Sequence, residues 1–399
     1  MKVLVYLDKS RLAPKGGPFA VGYFYYQEIL KNKDEEIEFI DNSKGDVADN
    51  KKKNALKIIE KRMPKIISNL LLVVRTVLAT RRILYGKPKP SQVDLSKYDV
   101  VHFHDTLQMW FERENLSEYK GVVCLQSHSP IPRGQEICSG MPKLARVLMP
   151  RCEKLYERID KFSFERADYI IFPCKEAEEP YELLWPYYKE IQRKKEKAYR
   201  YILTGIEECC PKRVKTDVRK ELGVPDNGFL ISYIGRHNEV KGFDLLKTIA
   251  SKIFELSNDA WVVSAGKEEP IKRLLHPNWK EIGFTDDAYS YISASNVFVL
   301  PNRMTYFDIV MIEVLSLGKI VVASRTGGNK YFEKEHVKGV FLYDTIEEAV
   351  DILLKIKKMS ADEIDSLEKA NRRFFLQELS VSKMYLNYKN FLNSINLNK

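Results

Sequence analysis

The sequence predicts an α/β protein built from two doubly wound halves. Short apolar runs typical of buried strands alternate with longer helix-like stretches along the 399 residues, which indicates parallel sheets. Two segments, 166–173 and 295–301, also have similar sequences, because each contains a helix end, then an apolar strand and then a proline. A chain of this length is expected to form two or three domains.

Ten strands are predicted, five in each half. They lie near residues 2–7, 36–40, 99–103, 121–126 and 168–172, and near 229–234, 260–265, 297–300, 319–323 and 338–343. Helices are expected at 21–31, 187–200, 243–256 and 308–317. Ligands of such folds bind at the carboxyl ends of the strands, so the loops that follow the strands are the candidate site.

A glycine-led loop, Gly235–Gly242, separates the strand 229–234 from the helix 243–256. Glycine lets the backbone approach a ligand closely, and the N–H groups of the helix point towards an anion. Arg236 and Lys241 add two cations, which suits a diphosphate. A strand–glycine–helix turn is also an ordinary feature of α/β proteins, so the loop alone leaves both interpretations open.

Glu313 lies in a helix, 308–317, that is otherwise apolar on all sides and should be buried. A buried carboxylate is costly unless it is paired. Its partner is either a protein Arg or Lys or the hydroxyl pair of a ligand such as a ribose.

These segments together resemble family 4 of the GT-B glycosyltransferases. The resemblance is carried by 229–242, 297–301 and 307–328, is strong from about 200 to 345 and is weaker before 180. It implies two Rossmann-like domains that face each other across a cleft, and a nucleoside diphosphate sugar as donor, with a UDP-sugar expected. It further implies that Arg236 and Lys241 hold the diphosphate and Glu313 the ribose. Retention of anomeric configuration and a reaction without metal or other cofactor are implied as well.

The chain departs from the family at two positions. Thr305 stands eight residues before Glu313, where the family usually has a Glu that contacts the donor sugar near the reacting carbon. Thr305 is therefore a catalytic candidate that carries no charge. Asp308 replaces the usual small Gly and is expected to cap the helix N-terminus, in which case it competes with a phosphate for the same N–H groups. With Ile309 and Val310 it is expected to line the donor site.

Three further loops supply candidates. Gly16 and Gly17 follow the first strand, where the family has a glycine-rich loop that closes on the donor phosphate, although an ordinary turn also explains them. His128 follows the strand 121–126 and corresponds to a family His close to the donor sugar, so it is a second catalytic candidate. Phe284 and Thr285 occupy the place where the family lines its base pocket. Weaker candidates for the acceptor are His104, Asp105, Arg133 and Glu136.

The net charge of +10 is unevenly distributed. Residues 61–93 contain eight Lys or Arg and no Asp or Glu, interleaved with apolar residues whose longest run is too short to span a bilayer. We expect a basic amphipathic helix around 51–90 to lie on an anionic membrane; a solvated surface helix is the alternative. The six cysteines lack metal-ligand spacing and fit a reducing cytosol, and no signal peptide is apparent. A nucleic-acid partner would explain the charge but not Glu313.

The sequence thus predicts a first domain over 1–200, with a tail from 376 to 399 folding back onto it, and a donor-binding domain over 201–375. The expected function is transfer of a hexose from a nucleotide sugar to a glycan or lipid-linked glycan, in bacterial surface polysaccharide synthesis. The expected location is the cytoplasm, on the inner face of the cell membrane. The alternative is a catalytically inactive partner of another glycosyltransferase, which Thr305 and Asp308 would mark.

Overall fold

A computed structural model of the chain describes residues 1–14, 17–41, 63–86, 93–129 and 131–396. The chain divides into two compact units. The first comprises Met1–Phe172, Tyr181–Tyr201 and the residues from Asn390 onward, and the second comprises Pro173–Pro180 and Ile202–Lys389. The first unit therefore lacks part of the predicted range 1–200, and the tail segment that belongs to it begins later than residue 376.

The first unit contains a six-stranded sheet in the order β2-β1-β3-β4-β5-β6, with all neighbouring strands parallel. Its strands are β1 Val3–Asp8, β2 Ile37–Ile40, β3 Val100–Phe103, β4 Val122–Gln126, β5 Tyr169–Phe172 and β6 Tyr199–Tyr201. Among the described residues before 200, the helices are α1 Gly17–Lys31, α2 Lys65–Tyr85, α3 Thr106–Phe111, α4 Arg113–Glu118, α5 Arg133–Ser139, α6 Lys143–Leu148, α7 Cys152–Arg166, α8 Glu179–Leu184 and α9 Tyr188–Lys194.

The second unit contains another six-stranded parallel sheet, in the order β12-β11-β10-β7-β8-β9. Its strands are β7 Phe229–Ile234, β8 Ala260–Ala265, β9 Trp279–Gly283, β10 Val297–Leu300, β11 Ile320–Ser324 and β12 Val340–Tyr343. The helices from residue 215 onward are α10 Lys215–Leu222, α11 Phe243–Leu256, α12 Ala288–Ala294, α13 Ile309–Ser316, α14 Asn329–Lys334, α15 Ile346–Lys357, α16 Ala361–Phe374 and α17 Val381–Asn393.

The helix α11 shows why these segments fold as they do. Its buried side chains recur three and four residues apart, which places them on one face. That face packs on β7, β8 and β10, whose side chains are almost wholly buried because helices cover both faces of a parallel sheet. The buried members on the helix are Phe243, Leu246, Ile249, Ala250, Ile253 and Phe254.

The predicted α/β class with two doubly wound halves is confirmed, and all ten predicted strands are present. Two strands were missed. β9 contains Lys280 and Glu281 and lies at a sheet edge, so it lacks the apolar run of a buried strand. The predicted helix over 187–200 is wrong at its end, because α9 stops at Lys194 and β6 begins at Tyr199. β6 was missed because a strand of three residues at a sheet edge is too short to show a hydrophobic pattern.

Candidate functional site

In the second sheet the chain reverses its winding direction between β7 and β10, which lie side by side. This reversal leaves a crevice at the carboxyl ends of the two strands, where open α/β sheets bind ligands. The loop 235–242 leaves β7 there, and the loop 301–308 leaves β10. The two loops are in contact, because the N–H of Arg303 donates to the carbonyl oxygen of Val240 at 3.0 Å.

Two glycines allow the loops to approach this closely. Gly242 has a φ of +62°, and a Cβ on it would lie 1.7 Å from the carbonyl oxygen of Pro301. Gly327, which follows β11, has a φ of +45°, and its Cβ would lie 1.9 Å from the carbonyl oxygen of Thr305. Only glycine fits at these positions, since a side chain would force the loops apart.

The two predicted diphosphate ligands, Arg236 and Lys241, are placed differently. Arg236 is exposed, and its guanidinium group has no ion-pair partner among the described residues. The ammonium group of Lys241 lies 2.7 Å and 2.8 Å from the two carboxylate oxygens of Asp308. Asn302 also donates a short hydrogen bond to Asp308.

Asp308 occupies the N-cap position of α13, but its side chain makes no cap hydrogen bond. The expectation that it caps the helix is therefore wrong: the carboxylate turns instead towards Lys241, whose charged ammonium is a stronger partner than a backbone amide, and it also accepts from Asn302. The first N–H groups of a helix have no partner within the helix. The amides of Ile309 and Val310 are thus left without a side-chain cap at the crevice.

Glu313 lies on α13, and one of its carboxylate oxygens accepts a hydrogen bond from the hydroxyl of Tyr289 at 2.8 Å. Burial raises the pKa of Glu313, and the bond from Tyr289 offsets part of this. No Lys or Arg among the described residues pairs with Glu313, which rules against the protein cation, one of the two partners that the sequence left open. The hydroxyl of Tyr289 is the hydrogen-bond partner that the structure supplies.

Thr305 is only 1% exposed, and its hydroxyl has no hydrogen-bond partner. The neighbouring amide oxygen of Asn302, equally buried, is also unpaired. Buried polar atoms without partners are rare and point to a ligand or an ion. Both atoms belong to the loop 301–308.

The remaining donor-side candidates lie after β9. Phe284 is 88% exposed, so its ring is free to stack on a planar group. The hydroxyl of Thr285 accepts from the N–H of Asp287 at 3.0 Å, which fixes the turn into α12. This contact favours the structural role that the sequence left open for Thr285.

In the first unit, one residue each of β1 and α1 and the segments that follow β3 and β4 surround a pocket of about 210 Å³. Nδ1 of His104 and Nε2 of His128 lie 2.7 Å apart in a hydrogen bond. Burial lowers the pKa of His128 to about 4 and that of His104 well below its usual value, so both rings are neutral at pH 7. The pocket is lined by Leu7, Phe19, His104, Asp105, Gln108, Ser127, His128, Ser129, Arg133 and Glu136.

Of the two glycines predicted after β1, Gly17 is the first residue of α1. Gly16 lies outside the described residues. Their expected role at the donor phosphate stays a prediction.

Sequence reasoning missed several polar residues at these sites. Asn302 and Gln108 carry buried unpaired oxygens, and Tyr289 holds Glu313. His237 is fully buried in the glycine-led loop, where its ring stacks on Phe243 with a centroid distance of 3.7 Å. Asn302 lies two residues after the end of β10, next to Pro301. This position at the carboxyl end of a strand is the sequence feature that could have identified Asn302 as a site residue. Tyr289 offered none, because its partner lies 24 residues away.

Residues 214–374 match the family model described as glycosyl transferases group 1. This stretch is a group 1 glycosyltransferase domain. It includes every donor-side candidate from Arg236 to Glu313. An uncharacterized glycosyltransferase of Methanocaldococcus jannaschii is 29% identical over 153 residues, which are 35% of this chain and 39% of that protein. The O-antigen biosynthesis glycosyltransferase WclY of Escherichia coli is 30% identical over 128 residues, 31% of this chain and 36% of that protein. The chain thus spans less than half of these relatives.

Solved structures extend the likeness in fold beyond the group 1 domain. HepE of Anabaena, solved in complex with UDP, has a TM-score of 0.59 at 14% identity, with 99% of this chain and 100% of that chain covered. Sucrose-phosphate synthase of Thermosynechococcus elongatus has a TM-score of 0.61 at 16% identity, with 98% of both chains covered. At these identities the comparison establishes the fold, which is the predicted GT-B architecture of two Rossmann-like domains.

Proposed function

We propose that the protein transfers a sugar from a nucleoside diphosphate sugar, most simply a UDP-sugar, to a glycan or lipid-linked glycan. The observation that carries the proposal is the crevice between β7 and β10. Two cations, a helix N-terminus without a side-chain cap and a buried carboxylate that has only a hydroxyl partner converge there. A diphosphate and a ribose match these groups, and HepE was solved with UDP and with UDP-glucose.

In this reaction the bond between the anomeric carbon and the β-phosphate oxygen breaks, and charge accumulates on the leaving diphosphate. We propose that Arg236, Lys241 and the amides of Ile309 and Val310 stabilise that charge. The oxyanion interactions are then preorganised by protein groups, in line with the retaining, metal-independent chemistry that the family resemblance implies. We also propose that the hydroxyl of Thr305, which is buried and unpaired, bonds a hydroxyl of the donor sugar.

Nucleotide binding by the Arg236 and Lys241 variants tests this proposal. Arg236→Ala and Lys241→Ala should each weaken UDP binding by roughly 1.5–3 kcal/mol, the scale of a charged hydrogen bond. Arg325 offers a matched control, because it is an arginine of the same unit that pairs with Asp344 and Glu333 at the far side of β11. Arg325→Ala should bind UDP normally. If both Arg236→Ala and Lys241→Ala bind UDP as tightly as the wild-type protein, the donor binds elsewhere.

Release of sugar from a UDP-sugar without acceptor distinguishes an active enzyme from an inactive partner protein. An active transferase should hydrolyse its donor slowly, and the Lys241→Ala variant should lose that activity. A protein that binds UDP-sugars but never cleaves them would support the inactive alternative. A polysaccharide acceptor is favoured over a small one by the O-antigen role in the name of the E. coli relative.

We further propose that α2 lies on an anionic membrane surface, on the cytoplasmic side. In the described part of the chain, no helix is long and apolar enough to cross a bilayer. α2 buries only Val73 and Thr80, and large apolar side chains on it and on α6, which packs beside it, are exposed. These are Ile66, Ile67, Leu70, Leu72, Val74, Leu78, Leu144, Val147 and Leu148. The predicted basic stretch also includes residues 51–62 and 87–90, which lie outside the described residues.

A charge reversal tests the membrane proposal. Replacing Arg75, Arg81 and Arg82 with Glu should release the protein from vesicles that contain phosphatidylserine, since each cation near such a surface contributes about 1 kcal/mol. The same replacement at Lys189, Arg193 and Lys197 serves as control and should leave binding intact. If the wild-type protein does not bind these vesicles, the membrane proposal is contradicted.

A further inference from the structure

Cys138 and Cys152 bring their thiols together in the interior of the first unit. Their sulfur atoms lie 3.3 Å apart, and each residue is only 5% exposed. Nonbonded carbon atoms pack at about 3.5–4.0 Å, so two larger sulfur atoms at this distance are closer than ordinary core packing requires. A disulfide bond is about 2.05 Å long, so an approach of roughly 1.3 Å would join the two sulfurs.

The ends of two helices hold the thiols in this position. Cys138 lies in the last turn of α5, and Cys152 is the first residue of α7. The N–H of Gly134 on α5 donates to the carboxylate of Asp160 on α7 at 2.8 Å, so a buried hydrogen bond joins the two helices as well as apolar contact. Helix ends adjust more easily than helix centres, because their last turns fray. The two sulfurs therefore meet where a small approach of the backbone is cheap.

A crevice between α2 and α5 lies next to the pair. It has a volume of about 410 Å³ and opens to solvent. Ile137, Met141 and Tyr156 line it, and the same three residues pack around both thiols in one apolar cluster. The volume is within the range of about 300–1,000 Å³ that admits small organic molecules. A small reagent in the crevice is thus separated from the sulfurs by these side chains alone.

The surroundings decide which sulfur reacts first. Burial and the hydrogen bond with Cys152 raise the pKa of Cys138 to about 12. Cys138 therefore keeps its proton and donates it towards the sulfur of Cys152. The thiolate is the nucleophile in disulfide exchange, so Cys152 is the attacking residue.

The exchange has two balanced steps. The thiolate of Cys152 attacks a low-molecular-weight disulfide, forms a mixed disulfide and releases one half of the reagent as a thiol. Cys138 then gives up its proton, attacks the sulfur of Cys152 and releases the second half as a thiol. Two protein thiols are oxidised to one disulfide, and one external disulfide is reduced to two thiols. An excess of small thiol drives the same steps backwards.

The chain between the two cysteines contains α6. Its side chains Leu144, Val147 and Leu148 are exposed, and α6 packs beside α2. We infer that Cys138 and Cys152 are a reversible dithiol–disulfide site that reacts with low-molecular-weight disulfides and, when oxidised, fastens α6 to the ends of α5 and α7. A covalent link across a short loop restricts the opened states of that loop. In a reducing compartment such a bond forms transiently and responds to the redox state.

Peptide mapping after oxidation tests the inference. The reduced full chain is equilibrated with cystamine, a small disulfide, then denatured, alkylated and digested for mass spectrometry. Cys138 should be joined to Cys152, and dithiothreitol should restore both thiols. The exposed Cys210 should carry a cysteamine adduct, which shows that the reagent is active. Modified Cys210 without a link between Cys138 and Cys152 would overturn the inference.

Serine variants test the order of attack. In Cys138→Ser the cysteamine adduct should stay on Cys152, because no second thiol displaces it. In Cys152→Ser the remaining Cys138 should react about tenfold more slowly, because burial still holds its proton; equal rates would contradict the order. Cys174→Ser, at a buried cysteine of the second unit, is the control and should form the link as the wild type does. If a variant fails to fold, the wild-type peptide map still decides whether the link forms.

Amide hydrogen exchange tests the effect on α6. In the oxidised protein the amides of residues 140–151 should exchange about tenfold more slowly than in the dithiol form, whereas those of α9 in the same unit should not change. Equal exchange of 140–151 in both forms would contradict the fastening of α6. None of these measurements requires UDP, sugar transfer or vesicles. The site therefore stands or fails independently of the proposed function.

Discussion

Lys241 and Asp308 form an ion pair across the crevice between β7 and β10, with Nζ 2.7 Å and 2.8 Å from the two carboxylate oxygens. The pair joins the loop that leaves one strand to the loop that leaves the other. A cation proposed for the donor diphosphate is therefore already balanced by an internal anion. If Lys241 holds the donor diphosphate as proposed, the donor either shares Lys241 with Asp308 or displaces the carboxylate of Asp308.

Asp308→Asn should raise the affinity for UDP. The change removes the carboxylate that competes for Lys241, and a partly exposed pair of this kind is worth up to about 1 kcal/mol, or roughly fivefold. Calorimetric titration with UDP measures the change in affinity. Glu368→Gln is the control, because Glu368 pairs with Lys319 at 2.8 Å elsewhere in the same unit, and it should leave affinity unchanged. Weaker UDP binding by Asp308→Asn would instead show that Asp308 holds Lys241 in its binding position.

Gly242→Ala should disrupt the crevice far more than Gly223→Ala. Both glycines have positive φ values, +62° and +65°, so alanine costs about 1–2 kcal/mol of backbone strain at either position. Nothing lies within 4 Å of a Cβ on Gly223, whereas a Cβ on Gly242 meets the oxygen of Pro301. Gly223→Ala should keep UDP binding, and Gly242→Ala should lose it. Equal unfolding free energies and affinities in the two variants would contradict the close approach of the loops.

Thr305→Val should reduce sugar transfer with little change in stability. Valine keeps the branched shape, and the hydroxyl it replaces has no partner to lose. A buried unpaired hydroxyl costs about 1–3 kcal/mol, so the free energy of unfolding should stay constant or rise. Turnover and thermal unfolding are measured on one preparation, with Thr248→Val, an exposed helix position, as control. Full activity in Thr305→Val would remove this residue from the catalytic candidates.

Stability should fall as the solution is acidified below pH 6.5. Burial lowers the pKa of His102 to about 3, that of His128 to about 4 and that of His104 further below its usual value. The unfolded chain therefore takes up protons first, so the stability present above pH 6.5 is lost towards pH 4. Each histidine contributes up to about 1.4 kcal/mol per pH unit.

Denaturant unfolding between pH 4 and 8 measures how steeply the free energy of unfolding changes with pH. His102→Leu should reduce this slope by the contribution of one proton, whereas His336→Asn, at an exposed position, should leave the slope unchanged. Asp160 acts in the opposite direction, because burial raises its pKa to about 7, so the stability contributed by its protonated form is lost as the pH rises from the unfolded value through about 7. Both histidine variants retain Asp160, so its contribution cancels when their two slopes are compared. Identical slopes in both would contradict the burial of a neutral histidine cluster.

The strands and the glycine-led loop were predictable because they depend on local pattern. Phe229–Ile234 is apolar apart from Ser232, and Phe243–Leu256 has buried residues every three or four positions, so tertiary packing agrees with the local preference. The pairing of Asp308 was not predictable, since it depends on a side chain 67 residues away. An aspartate before a helix usually caps it. Here a lysine ammonium brought near by the strand order is the stronger partner.

The partner of Glu313 was unpredictable for the same reason. The sequence showed that an isolated carboxylate in an apolar helix needs a partner, and it offered a buried cation or a ribose. Tyr289 lies 24 residues earlier, on α12, in a segment without any distinctive pattern. Its hydroxyl satisfies one carboxylate oxygen and supplies no positive charge.

Glu313→Gln should weaken nucleotide binding without destabilising the protein. Burial raises the pKa of Glu313, so the stability it contributes is present at low pH and is lost as the pH rises through its folded value. Glutamine is neutral at every pH and therefore removes the cost of holding a charge at this position. The amide keeps the shape and still accepts the hydrogen bond from Tyr289.

The donor ribose would lose a charged acceptor, so UDP affinity should fall by on the order of 1–3 kcal/mol. Unfolding free energy and UDP affinity are measured at pH 7.5 on the same variant, with Glu333→Gln as an exposed control of the same unit. A buried cation left unpaired would instead cost roughly 3–5 kcal/mol of stability. Such a loss together with unchanged affinity would reject the ribose role. A stable variant with weakened affinity would place the donor at α13, because no structural partner other than Tyr289 competes for the carboxylate among the described residues.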